Sequence, residues 1–299
     1  MIITFSGNPN YKYLNIIVIL LLGIITCSSN LYCDSDDVKS SSEIIFEIPQ
    51  LFEQGLYETA LLESKDILSQ NYKNHKGHWY LGRSFYYLGE FDSALIHFQY
   101  ALKLSPDVAD YNYWVGETCG MAISKHPFKV LSLIKRMKTA FSTAILLDST
   151  HVEARIGLIK YYLLSPSLLG GDRTIALEHI EKLTEIDWLY GQMWVGIVLE
   201  LDEKYDSTKF HYTTIISQCS SDCKRIFLAY GQFLFRFEGY NEAKEQITLC
   251  IKEDSTFGEA YYWLGRCWEA LENMDQASIA YKQAKYWAPY YRDIKSRSP

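Results

Sequence analysis

The chain opens with its longest apolar run. Between Leu14 and Ile25 only Asn15 and Gly23 interrupt the apolar residues, and Lys12 is the only charged side chain before them. A helix of this length rises about 18 Å, well short of the roughly 30 Å hydrocarbon core of a bilayer. The run therefore predicts a signal peptide over residues 1–27 rather than a membrane-spanning helix, and no later segment is apolar for long enough to cross a bilayer.

Cys27 follows the apolar run directly, at the end of the tetrapeptide IITC. This tetrapeptide resembles the lipobox of bacterial lipoproteins, in which the cysteine is lipidated and becomes the mature N-terminus, although Thr26 stands where that pattern prefers Gly, Ala or Ser. Simple cleavage nearby, for example after Ser29, is the alternative interpretation. Residues 28–42 are polar and indicate a flexible tether. Both interpretations predict an exported protein.

Beyond the tether, similar segments recur along the chain. Ala60 and Ala94 lie 34 residues apart and close two similar segments, as do Ala243 and Ala277. Each alanine follows a turn residue, an aromatic or apolar residue and an acidic residue. Self-similarity with a period of 20–50 residues indicates a repeat architecture.

The blocks 75–108 and 258–291 resemble the tetratricopeptide repeat, which pairs two antiparallel helices. Glycine in the first helix lets the second approach closely, alanine keeps the crossing narrow, and proline ends the unit. The resemblance implies an all-α fold, a solenoid of about seven helical hairpins over residues 43–291, followed by a tail at 292–299. The matching positions are Leu81, Gly82, Phe85, Ala94, Phe98, Ala101 and Pro106, and again Leu264, Gly265, Trp268, Ala277, Tyr281, Ala284 and Pro289.

Looser units fill the rest of the array. Asp172 follows two glycines and is predicted to cap a helix that starts at Arg173, since a phosphate cradle needs a longer glycine pattern after a strand. Turns are predicted near Gly55, Gly89, Gly170 and Gly239. The looser units are residues 41–74, 109–151, 152–190, 191–223 and 224–257.

The middle of the chain resembles a bacterial subgroup of exported tetratricopeptide repeat proteins. The similarity covers residues 138–148, 152–158 and 161–172, where Ser165 and Ser167 replace the usual Ala and Gly. This resemblance implies a solenoid located outside the cytoplasm, and it supplies no activity.

Composition and motifs argue against two further classes of function, nucleic-acid binding and catalysis. The formal net charge is −7, so the chain has no surplus of Lys and Arg for phosphate contacts, and we expect no nucleic-acid partner. The seven histidines are scattered without metal spacing, and no nucleophile motif is present. We therefore expect a protein that is not an enzyme and that needs no cofactor or metal.

Five of the seven cysteines fall into two groups. Cys119, Cys250 and Cys267 occupy helical positions where the repeat needs small buried groups. Cys219 and Cys223 lie in a polar segment between units, and outside the cytoplasm such a pair can form a disulfide. A zinc site is the alternative, and it lacks a second pair of ligands.

The family resemblance implies that positions two, five, nine, twelve and thirteen of each unit face the concave side of the array. Trp, Tyr and Arg dominate the energetics of interfaces, so these residue types mark a candidate partner-binding groove. The candidates are Trp79, Arg83, Tyr86, Tyr87, Arg236, Tyr262 and Arg266.

The sequence thus predicts a non-catalytic scaffold of the cell envelope that binds a peptide or protein in its concave groove. Membrane association is expected only through a lipid on Cys27. The alternative is a structural or assembly lipoprotein whose convex surface packs into a larger envelope complex.

Overall fold

The computed structural model describes residues 40–220 and 222–288, which contain fourteen α-helices and no β-strand. The predicted signal peptide, Cys27, most of the tether and the 292–299 tail lie outside these residues. The helices are α1 Ser41–Glu53, α2 Tyr57–Gln70, α3 His75–Tyr87, α4 Phe91–Leu104, α5 Ala109–Ala122, α6 Val130–Leu147, α7 Val152–Leu164, α8 Arg173–Ile186, α9 Trp188–Leu201, α10 Tyr205–Gln218, α11 Lys224–Arg236, α12 Tyr240–Glu253, α13 Gly258–Ala270 and α14 Met274–Trp287.

Consecutive helices pack as seven antiparallel hairpins, and each hairpin packs against the next. The odd-numbered helices are the first helices of the hairpins and the even-numbered ones are the second. The predicted all-α array of about seven hairpins is therefore confirmed. None of the described helices combines the length and the apolar composition that crossing a membrane requires.

Large rings from second helices fill the space above glycines of first helices. A Cβ atom added to Gly82 would lie 2.7 Å from the ring of Phe98, and one added to Gly265 would lie 2.6 Å from Tyr281. Real Cβ atoms do not approach so closely, so glycine is required for these helices to pack. The predicted role of both glycines is confirmed.

Phe141 joins two hairpins in the same way. Its ring would lie 2.6 Å from a Cβ on Gly116 of α5 and 2.6 Å from one on Gly157 of α7. The side chain is only 2% exposed. One ring of α6 therefore holds the first helices of the third and fourth hairpins together.

The predicted turns lie between helices. Gly55, Gly89 and Gly170 adopt positive φ angles of 69°, 81° and 91°, which glycine accommodates without a steric penalty. At the fourth turn, Gly239 has a negative φ and Glu238 takes the left-handed conformation instead, with φ 64°. The positions of the four turns were thus predictable, whereas the residue that adopts the left-handed conformation in the fourth turn was not.

Local capping shifts two predicted boundaries. Helix α1 begins at Ser41, inside the segment predicted as tether, because the Ser40 and Glu43 side chains form a capping box. Helix α9 begins at Trp188 rather than Gly191, because Asp187 accepts a hydrogen bond from the Tyr190 N–H at 2.9 Å. The first correction lengthens the repeat array at its N-terminal end, and the second moves the boundary between the fourth and fifth hairpins three residues earlier.

The fourth hairpin has the predicted cap. The carboxylate of Asp172 accepts hydrogen bonds from the backbone N–H groups of Thr174 at 2.9 Å and Ile175 at 3.3 Å. Helix α8 starts at Arg173, so the structural interpretation of the glycine pair and Asp172 is confirmed.

The described cysteines also divide into two groups. Cys119, Cys250 and Cys267 are fully buried, as expected for small core residues. Cys219 and Cys223 are joined by a disulfide that links the end of α10 to the start of α11.

Candidate protein-binding surface

The first helices of the first three hairpins converge on Arg83. Its guanidinium carbon lies 4.2 Å from the ring centre of Phe52 on α1, and 5.0 Å from those of Trp79 on α3 and Trp114 on α5. Such cation–π contacts hold the guanidinium in place without neutralising its charge. Within residues 40–220 and 222–288, Arg83 forms no ion pair with a carboxylate.

Tyr87 is the solvent-exposed member of this cluster. Its ring stacks on Tyr57 with centres 4.3 Å apart, and the residue remains 39% exposed. Trp79 and Arg83 are half-buried beside it. These three candidates lie four residues apart on α3, and Arg83 contacts Trp79.

Tyr86 has a different role from its neighbour Tyr87. Its hydroxyl donates a hydrogen bond of 3.0 Å to Glu117 Oε1 on α5. Burial, followed by the nearby Glu117 carboxylate, raises the pKa of the Tyr86 hydroxyl, which therefore stays protonated and donating. Tyr86 thus links the second and third hairpins, and its hydroxyl is already engaged within the array.

The C-terminal candidates lie in the sixth and seventh hairpins, four and five hairpins beyond the candidates on α3. Arg236 on α11 is paired with Glu200 on α9, with Nη2 2.6 Å from Oε2. Arg266 on α13 lies with its guanidinium carbon 4.9 Å from the ring centre of Phe235 and 5.5 Å from that of Trp263. The aromatic–arginine arrangement therefore recurs at both ends of the array.

The structure corrects the assignment of Tyr262 as a partner-binding residue. Only 2% of Tyr262 is exposed, and its side chain packs with Ala277, Tyr281 and Ala284 of α14. Its ring turns toward the second helix of its own hairpin and its hydroxyl accepts a hydrogen bond of 3.4 Å from Arg266 Nη1, while the adjacent Trp263 also contacts Arg266. Trp263, rather than Tyr262, is the half-buried aromatic residue at this point of α13.

Several residues of these clusters were not predicted. Phe52, Trp114 and Glu117 belong to neighbouring hairpins, and each contacts a candidate on α3. The signal that could have found them is the periodicity itself, since aromatic residues near the same repeat position in successive units approach one another along the array.

No group of three or more His, Cys, Asp or Glu residues in the described part of the chain is arranged to hold a metal ion. The buried His151 instead connects two hairpins. Its Nε2 lies 3.2 Å from Asp110 Oδ1 and its Nδ1 lies 3.4 Å from Glu153 Oε2. These carboxylates, Asp110 first, raise the pKa of the buried imidazole to about 9.

Stability should consequently fall at alkaline pH through His151. Because the pKa of His151 is higher in the folded chain than its ordinary value of about 6.5, its contribution is complete below about pH 6.5 and is lost as the pH rises through 9. Both carboxylates are more than half exposed, so we expect a loss on the order of 1 kcal/mol. Thermal unfolding of wild type and His151→Gln at pH 6.5 and 9.5 measures it.

The His151→Gln substitution should remove most of the difference in thermal stability between pH 6.5 and pH 9.5. His211→Gln is the control, since His211 contacts a backbone carbonyl, that of Gln192, rather than a carboxylate. An unchanged pH dependence in His151→Gln would contradict the assignment.

Comparison with known proteins agrees with this geometry. Family sequence profiles described as "Tetratricopeptide repeat" match residues 75–108 and 258–291, the second and seventh units of the array. Seven stacked hairpins of this geometry define an α-helical repeat protein. The chain is a tetratricopeptide repeat protein.

Solved structures support the fold. A tetratricopeptide repeat protein from Parabacteroides merdae is 16% identical over 86% of this chain and 96% of its own, with a TM-score of 0.54. Human IFIT1, in a dimer with m7Gppp-AAAA, is 18% identical over 83% of this chain and 54% of its own, with a TM-score of 0.52. A chain of the APC/C hetero-tetramer Cut9–Hcn1 is 11% identical over 87% of this chain and 49% of its own, with a TM-score of 0.50. No curated protein sequence matches the chain.

Proposed function

We propose that this protein is a non-catalytic scaffold of the cell envelope that captures a peptide or protein segment on its first-helix surface, the surface formed by the odd-numbered helices. The tetratricopeptide repeat fold supports an interaction scaffold in general. The observation that carries the location of the site is Arg83, a cation fixed by three aromatic rings and free of any carboxylate partner among the described residues.

The chemistry of this cluster suits an extended partner. A guanidinium held in one orientation donates two parallel hydrogen bonds to a carboxylate, or single bonds to peptide carbonyls, with little loss of conformational entropy. Trp79 and Tyr87 supply rigid apolar area beside it, as anchor residues of interfaces do. Arg236, in contrast, is already neutralised by Glu200, so we assign the primary contact to the α3 cluster.

The alternative is assembly through the second helices. Several apolar residues of α4, α6 and α10 are exposed, including Ile96, Leu146 and Phe210. Such residues fit packing against a larger complex, although single exposed apolar side chains are common on any protein surface.

Capture from detergent-extracted membranes separates these two functions. Arg83→Ala in the full-length protein should abolish or strongly reduce partner recovery, whereas His97→Ala and Lys282→Ala on second helices should not. The reverse pattern would favour the convex-surface alternative over the proposed groove.

The envelope location rests on residues 1–27, which lie outside the described structure. The apolar run and Cys27 support export with lipidation at the cysteine. Metabolic labelling with a fatty-acid analogue should tag the wild-type chain and leave Cys27→Ala unlabelled. Labelling that survives the substitution, or that is absent from wild type, would contradict the lipid anchor.

A further inference from the structure

The middle of this acidic protein contains a long stretch without a single carboxylate. From Thr118 to Leu147 the sequence has no Asp or Glu, although the chain as a whole carries a formal net charge of −7. The stretch spans the turn before α6 and all of α6. A local excess of one charge attracts groups of the opposite sign whatever the net charge of the whole protein. Its cations are Lys125, Lys129, Lys135, Arg136 and Lys138.

A groove of about 480 Å³ runs along this cationic helix. It lies between the second helices α4 and α6, with α5 between them, and we call it the α4–α6 groove. Its apolar lining comes from Leu102, Val115 and Ala140, of which the last two are buried. Lys135 and Arg136 line it from α6, together with amide and hydroxyl side chains of the same three helices.

The cations of the stretch differ in what they already contact. Lys125 donates to the backbone carbonyl of Gly89 and lies 4.7 Å from the ring centre of Phe91. Lys138 lies over Tyr162, with its Nζ 5.1 Å from the ring centre. Lys135 and Arg136, by comparison, form no ion pair or hydrogen bond with the residues that the structure describes. The two charges in the groove are therefore available to a ligand.

We infer that the α4–α6 groove is a second binding site, separate from the first-helix surface, and that it takes an acidic peptide segment bearing an apolar side chain. The carboxylates of such a segment pair with Lys135 and Arg136. Its apolar side chain covers Val115 and Ala140, and side chains such as Gln99 are placed to hydrogen-bond the peptide backbone.

The lining distinguishes a peptide from the other common polyanions. Proteins that bind single-stranded nucleic acids use aromatic rings on which the bases stack, and no aromatic side chain lines this groove. A lipid surface is broad and meets protruding residues, whereas Val115 and Ala140 of this groove are buried. A groove that combines buried apolar residues with unpaired cations therefore fits an acidic peptide best.

Fluorescence anisotropy of a labelled hexapeptide of alternating glutamate and leucine tests this site on the full-length protein in a neutral detergent. The double variant Lys135→Glu/Arg136→Glu should weaken binding at least tenfold. The matched control is Lys282→Glu/Lys285→Glu, which makes the same change in net charge on two exposed residues of α14 and should alter the affinity less than twofold. Thr139→Trp, which fills the groove without changing its charge, should also weaken hexapeptide binding at least tenfold.

Several results would overturn the inference. One is an equal loss in both double variants, which would reduce the effect to bulk charge; another is retention of binding by Thr139→Trp. Tighter binding of oligoadenylate or of phosphatidylglycerol vesicles, lost in the same α6 variant, would replace the peptide by that ligand. The α6 double variant should weaken hexapeptide binding to the same extent in an Arg83→Ala background, so that this site and the first-helix surface can fail independently.

Discussion

Replacing Phe141 with alanine is expected to lower the free energy of unfolding by about 3–5 kcal/mol. The ring is buried on α6 and lies against Gly116 of α5 and Gly157 of α7. Glycine has no side chain that could move into the vacated space, so the cavity should remain open and the cost should be near the upper end of that range. Equilibrium unfolding in urea, followed by far-ultraviolet circular dichroism, measures the loss.

Phe128→Ala provides the control for Phe141. Phe128 is fully exposed in the turn before α6, so its removal should change the free energy of unfolding by less than about 0.5 kcal/mol. A loss below about 1 kcal/mol for Phe141→Ala would show that this ring does not join the third and fourth hairpins.

Trp79→Ala is expected to weaken the affinity for the captured partner by about 2 kcal/mol or more, roughly thirtyfold. The substitution removes a rigid apolar surface and one of the three rings that orient the Arg83 guanidinium. The dissociation constant of the complex between the full-length protein and the partner recovered from membranes should be measured by biolayer interferometry. Arg83→Gln, which keeps most of the side-chain volume, should produce a loss of similar size.

Trp287→Ala is the matched control, because Trp287 is a partly exposed tryptophan on the second helix α14. Its loss should leave the affinity within about twofold, and all variants should retain a helical spectrum. An unchanged affinity in Trp79→Ala, or an equal loss in Trp287→Ala, would contradict an anchor on α3.

The hairpins could be predicted because their determinants are local and repeated. Gly82 and Phe98 lie 16 residues apart in one unit, and Gly265 and Tyr281 repeat the same spacing in another. The close contacts across both pairs follow from this spacing alone, since a ring can cross the first helix only where a Cβ is missing. Similarly, the start of α8 could be predicted from Asp172, because an N-cap involves only neighbouring residues.

The candidate surface was harder to predict because it depends on contacts between units. One residue of helix turns a side chain by 100°, so a small difference in helix packing buries Tyr262 and leaves Trp263 half-buried, although both residues contact Arg266. The pairing of Arg236 with Glu200 joins residues 36 positions apart in units of unequal length. No repeat frame read from a single sequence specifies which of these side chains meet.

Site-specific photo-cross-linking tests the central claim most directly. Tyr87 on α3 and Tyr100 on α4 belong to the same hairpin and are equally exposed, at 39%, but lie on its first and second helix respectively. Benzoylphenylalanine is placed at one position or the other in the full-length protein, and the products are compared after irradiation of intact membranes. A partner adduct from position 87 that is absent or several-fold weaker from position 100 is the predicted result. Equal adducts from both positions, or an adduct from position 100 alone, would contradict capture on the first-helix surface.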